Sequence, residues 1–136
     1  MILNYNIMIT QTSESQSKLT PLDVLDMLKE GNKRFVQNNL TSRDLLTQVE
    51  KTSLGQFPIA VVISCIDSRV PPEIIFDQGI GDIFSIRVAG NVINKDVLGS
   101  VEFACKIAGV KLIVVMGHTS CGAVKGACNE VELGNL

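Results

Sequence analysis

Two short runs of apolar, largely β-branched residues, Ile59 to Ser64 (IAVVIS) and Lys111 to Met116 (KLIVVM), constrain what this chain can fold into more than any other feature. Neither alternates apolar with polar, so each has the pattern of a parallel strand covered on both faces. Asp82 to Val88 (DIFSIRV) reads as another buried strand. Parallel neighbours need long crossovers, usually helical. Val97, Val101, Ala104, Cys105 and Ala108 recur at helical spacing, with Asn94 or Asp96 as N-cap and Gly109 as the stop. Thr20-Pro21-Leu22-Asp23 is a second helix start, with an N-cap, proline at the first position and an acid at the third. Leu22, Leu25, Leu28 and Phe35 carry that helix to about Asn38, with Gly31 as its weak point, and a last helix is expected from Gly122 to about Val131. The layout is α/β: a parallel β-sheet core flanked by helices, with an N-terminal helical arm.

At 136 residues the chain is one domain. Residues 1–19 form a polar leader without clear period, expected to be a flexible arm or a strap on a partner subunit, and 20–136 form the folded unit. A net charge of −2 with no cluster of Lys and Arg argues against nucleic acid as a partner. Met1 to Thr10 lacks a basic flank and is too short to span a bilayer, so no membrane association is expected. Four cysteines could in principle make two disulfides, but the sequence is neither cysteine-dense nor led by a secretory signal, so the cytoplasm and reduced thiols are expected. Cys105 and Cys128 are expected to pack helices.

The chemistry sits where the strands run out. Cys65 ends the first apolar run, Gly117-His118 ends the second, and Cys121 follows His118 by three residues. In open α/β sheets ligands bind beyond the carboxyl ends of the strands, so these distant segments can meet at one ion. Two thiolates and one imidazole suit Zn²⁺ better than iron or copper, and three protein ligands leave a fourth position open, as in catalytic sites. Asp67 and Arg69 follow Cys65 at alternate positions. Arg69 can hold Asp67 ionised in a bidentate pair, leaving the carboxylate to accept a hydrogen bond from a zinc-bound water or hydroxide. Gly90 can bring backbone close to a substrate.

Taken together, Cys65-Ile-Asp67-Ser68-Arg69-Val-Pro71, Gly81-Asp82-Ile-Phe84, Arg87-Val-Ala89-Gly90-Asn91, Ser100-Val-Glu102 and Gly117-His118-x-x-Cys121-Gly122-Ala123 resemble the core of the β-class carbonic anhydrases, in the right order, over about Thr20 to Val131. The resemblance implies that Cys65, His118 and Cys121 bind zinc and that Asp67 and Arg69 form the dyad orienting the metal-bound hydroxide. It also implies reversible hydration of carbon dioxide to bicarbonate and assembly as a homodimer or higher homo-oligomer. Gln56 matches a glutamine of plant-type members that helps hold bicarbonate, often across the dimer interface. In pH-gated relatives the aspartate becomes a fourth zinc ligand in a closed state; Gln56 favours the open form for Asp67. His118 is the sole histidine, so no second one is free to shuttle protons. Relatives continue beyond the equivalent of Leu136, and their next strand would pair with Lys111 to Met116. The family's C-terminal strands and helices are therefore expected to be missing, leaving that run an exposed edge. This admits a second reading, a truncated, non-catalytic zinc-binding remnant or interaction protein. A third, a CO₂-like substrate such as carbon disulfide, is selected by no residue.

Overall fold

The structure, a computed structural model, describes residues 10–132 and 134–135. Three parallel strands, β1 (Ala60–Ser64), β2 (Ile83–Arg87) and β3 (Leu112–Met116), form a sheet in the order β2-β1-β3. All three expected strands are present. Ala60 lies level with Ile83 and Leu112, and Ser64 with Arg87 and Met116, so the carboxyl ends finish together. Central β1 is buried throughout, as its unbroken apolar run requires.

Among the described residues six α-helices surround the sheet: α1 (Ser13–Lys18), α2 (Pro21–Val36), α3 (Leu45–Thr52), α4 (Pro72–Ile75), α5 (Lys95–Lys106) and α6 (Gly122–Cys128). Helix α2 starts as its sequence dictates, with Thr20 and Asp23 closing a capping box ahead of Pro21. Val24 and Leu28 pack on Ile59, Ala60, Val62 and Ile83 to form the core of one face. Leu22 is not part of that stripe and is 71% exposed. Gly31 is the point of closest approach rather than a weak point, since a Cβ there would lie 1.8 Å from the Phe76 carbonyl oxygen that follows α4. Helix α5, capped by Asn94, buries Val97 and Ala104, and its Phe103 ring meets Phe84 at 6.3 Å.

Several expectations are corrected. The Lys111 to Met116 run is not covered on both faces: Ile113 and Val115 are 47% and 67% exposed, because α5 packs over β1 and β2. Cys105 and Cys128 are exposed rather than packed. The last helix ends at Cys128, three residues early, where Asn129 caps it and Glu130 turns left-handed at φ 54°. The leader is helical where it is described. Thr12 and Ser15 cap α1, and buried Gln16 donates from Nε2 to the carbonyls of Pro58 and Ala108, at 2.6 and 2.9 Å, tying α1 to the segments entering β1 and β3. Residues 1–9 of the leader lie outside the described residues. Helix α3 occupies what reads as a polar connection, with Asp44 accepting from the Thr47 amide at 3.0 Å. Among the described residues no helix is long and apolar enough to cross a membrane.

That connection also supplies the main buried ion cluster. Arg43 and Arg34 both donate to Asp77, whose side chain is only 2% exposed, and Thr41 adds its amide and hydroxyl. Burial pushes the Asp77 carboxyl up, but the hydrogen bonds from Arg43, Arg34 and Thr41 outweigh it and hold the group at about 2, below its ordinary 3.8. A depressed folded-state value stabilises the fold above the unfolded value and ceases to do so as pH falls through the folded one. We expect the Asp77 contribution to be intact above about pH 4 and to fade toward pH 2. Asp77→Asn should cost about 3–5 kcal/mol at neutral pH by leaving Arg43 buried without its counter-ion, and urea unfolding of variant and parent between pH 2 and 7 should show the difference narrow toward the acid end.

Candidate metal centre

Because Ser64 and Met116 are level, the residues just past them share one end of the sheet. Cys65 leaves β1, Gly117-His118 leaves β3, and Ser120, left-handed at φ 56°, turns the chain so that Cys121 precedes α6. The ligand atoms of Cys65, His118 and Cys121 all lie within 4.8 Å of one another. The two sulfurs are 3.9 Å apart. Two thiolates on a tetrahedral zinc, each with a Zn–S bond of about 2.3 Å, would sit about 3.8 Å apart, whereas a disulfide needs about 2.05 Å.

The histidine supplies a second test of fit. Its Nδ1 lies 2.9 Å from the Thr119 carbonyl, which can only accept, so Nδ1 carries the proton. Nε2 then holds a lone pair, and it is buried without a hydrogen-bond partner. Such a group has a reason to persist if a cation takes it. The donor set therefore suits Zn²⁺.

The surroundings favour thiolate. His118 facing the Cys65 sulfur and the Gly90 amide, at 3.4 Å, lower its thiol to about 7, against the opposing effect of burial. The same sulfur chiefly raises the His118 imidazole. Arg69 grips Asp67 at both oxygens, Nε to Oδ1 at 2.9 Å and Nη2 to Oδ2 at 2.7 Å, as the alternate spacing predicts. Those bonds hold the carboxyl well below the ordinary carboxylate range. Asp67 Oδ2 stands 3.8 Å from His118 Nδ1, beside the ligand group rather than within it. Both Asp67 oxygens therefore accept from the one guanidinium.

A cavity of about 600 Å³ opens beside Cys65 and Asp67, walled mainly by Ile66, Ala89, Val92, Ala123, Val124 and Val131. Gly90 lines it as well, and its amide is spent on the Cys65 sulfur. Gln56 is exposed and is not among the lining residues, so the fold does not bring it to this chain's own site. Two residues have roles that the sequence reading did not assign. Arg87, at the end of β2, donates to the Cys65 and Asp67 carbonyls, and Asn91 donates to the Met116 carbonyl at 2.8 Å. Both stand in the Arg87-Val-Ala89-Gly90-Asn91 motif, but nothing in the sequence shows which carbonyls they reach.

A parallel sheet that gathers two thiols and an imidazole beyond its strand ends, with a carboxylate–guanidinium pair alongside, defines an α/β metal-site protein. A sequence profile described as carbonic anhydrase matches residues 60–135. Carbonic anhydrase 2 of Mycobacterium tuberculosis is 48% identical over 120 residues, covering 85% of this chain and 56% of that protein. A carbonic anhydrase of Mycolicibacterium smegmatis is 45% identical, covering 85% and 57%. Among solved structures, the β-carbonic anhydrase CafA of Aspergillus fumigatus superposes with a TM-score of 0.60 at 33% identity, covering 82% of this chain and 52% of that one. The chain belongs to the carbonic anhydrase family, in its β class. It spans about half the length of these relatives. β-Carbonic anhydrases are zinc enzymes, and the Cys65, His118 and Cys121 group can hold that metal.

Gly90 sits at φ 65°, and a Cβ there would come within 3.3 Å of the Ala123 Cβ. Gly90→Ala should therefore lower stability by about 1–3 kcal/mol, read as a fall in the melting temperature of the metal-free protein.

Proposed function

We propose that this chain catalyses the reversible hydration of carbon dioxide to bicarbonate and a proton, with Cys65, His118 and Cys121 holding zinc and Asp67 and Arg69 as the catalytic pair. The observation that carries this reading is the three-donor group set beside a fixed carboxylate at the mouth of an apolar cavity. Bound there, zinc supplies a Lewis acid that lowers the pKa of a coordinated water toward neutrality. The protein does the rest. Arg69 keeps Asp67 ionised and fixed, so its carboxylate can only accept a hydrogen bond and aligns the attacking water. The apolar wall of Ile66, Val92, Ala123 and Val124 suits a small neutral substrate and excludes competing water. Thr119 fixes the His118 tautomer, which commits the only histidine to the metal and leaves proton release to solvent and buffer.

Residues 20–136 act as one zinc unit in this reading, cytoplasmic and with reduced thiols. Gln56 serves the site of a second copy in a homodimer or larger assembly, since it is remote from its own, and Gly90 contributes backbone to the substrate wall. The opposing reading, a zinc-binding chain without turnover, draws on the exposed Ile113 and Val115 of β3.

One zinc per chain is expected by elemental analysis, and Cys121→Ser should lose stoichiometric metal because a hydroxyl replaces a thiolate poorly. Stopped-flow CO₂ hydration by the zinc-loaded chain should rise per chain with protein concentration as copies assemble, and Asp67→Asn should lower it by about 10²-fold or more while zinc is retained. Stoichiometric zinc with no turnover at any concentration would support the non-catalytic reading instead.

A further inference from the structure

We propose that Asn91 is a positioning residue for the metal centre, setting the separation of the two strand ends that carry Cys65 and His118. This rests on the reading that the Cys/His/Cys group holds zinc. Asn91 touches none of the three ligand side chains. Its Nδ2 donates to the Met116 carbonyl at 2.8 Å and approaches the Ile63 carbonyl at 3.4 Å. Met116 lies two residues before His118, and Ile63 two residues before Cys65. One amide thus bridges the ends of β3 and β1.

The bridge falls where the sheet stops holding itself together. Pairing between β1 and β3 ends at Ser64 and Met116, and among the described residues β3 pairs with no other strand. Beyond that rung, backbone bonds no longer fix how far apart the chains run, while metal ligands must be placed to within about 0.5 Å. Asn91 is placed for the task by the 3₁₀ turn Ala89–Asn91 that follows β2, where its own amide donates to the Val88 carbonyl at 3.0 Å. The Val88 amide in turn donates to the Ser64 carbonyl at 2.9 Å, anchoring the turn to the end of β1. The preceding Gly90 amide donates to the Cys65 sulfur from the same turn.

A simpler role must be separated from this one. Asn91 has φ 60°, and asparagine is commonly found in the left-handed region for conformational reasons alone. Glycine adopts that conformation more readily still. Asn91→Gly therefore preserves the backbone and deletes only the amide. If the residue is there for its backbone, the variant should match the parent in every respect. If it positions the ligands, zinc affinity should fall by about 10–100-fold, the range found when groups that orient metal ligands are removed.

The experiment measures zinc affinity of the full chain by competition with a chromophoric chelator, together with the visible spectrum of the Co²⁺-substituted protein and the melting temperature of the metal-free protein. The expected result for Asn91→Gly is at least tenfold weaker zinc binding and altered cobalt bands, with a metal-free melting temperature close to the parent. Parent-like affinity and an unchanged cobalt spectrum would overturn the proposal, leaving the zinc reading intact; failure of the parent to bind zinc would instead sink that reading. Should Asn91→Gly not fold, Asn91→Asp keeps the shape and the left-handed tolerance but offers no donor at neutral pH, and the same loss of affinity is expected. Failure of both variants to fold would overturn the proposal by assigning Asn91 to stability.

Discussion

The metal centre depends on the register of three parallel strands. Hydrogen bonding places Ser64 level with both Arg87 and Met116, so the chain leaves β1, β2 and β3 at one height and the next few residues of each have nowhere to go but the same end of the sheet. A slip of one residue would carry Cys65 about 3.3 Å along the strand and reverse the faces of β1. Burial of all five residues of β1 opposes that slip, because helices press on both of its faces. Core packing and ligand placement are therefore one constraint: the contacts that stabilise the sheet also bring sulfur and nitrogen together.

Two ion-pair systems show how surroundings decide what such a pair does. Asp77 is nearly sealed from water and takes donors from Arg34, Arg43 and Thr41, so it locks the connection before α3 against the end of α4. The Asp67–Arg69 pair has comparable geometry, but the Arg69 side chain is 64% exposed. A pair so open to solvent contributes little to stability. Its consequence lies in the fixed, ionised carboxylate beside the ligand group, consistent with the hydrogen-bond accepting role proposed for it. Arg87 works differently again, spending its guanidinium on the carbonyls of Cys65 and Asp67 and so holding the loop that carries Cys65 and the whole Asp67–Arg69 pair.

Not all of the apolar surface is used within the described residues. Phe103, Ile113 and Val115 remain about half exposed or more on the side of the sheet where α5 lies, and Gln56 stands away from the cavity. Both facts are what the assembly proposed above draws on. Helix α1 acts in the opposite direction, closing the far end of the sheet. Gln16 satisfies two carbonyls there that would otherwise be left near the core, so a segment without hydrophobic periodicity still docks by hydrogen bonding.

The sequence by itself determined the strands, the two capped helices α2 and α5, and the Cys65, His118 and Cys121 group that can hold a metal, because those rest on local rules: β-branched runs, capping residues, and thiol and imidazole chemistry at strand ends. The Asp67–Arg69 pair was legible for the same reason, since alternate residues past a strand point the same way. Helices α1 and α3 were not legible, because neither has an apolar stripe long enough to register and both are held by side chains, Gln16 and Gln48, whose partners are distant in sequence. The face of α2 was misread at Leu22 because periodicity gives a stripe but not the neighbour that covers it. The roles of Arg87 and Asn91 lay wholly in the tertiary structure. Each acts on carbonyl groups of other strands, and a backbone oxygen has no sequence signature until register decides which side chain stands opposite it.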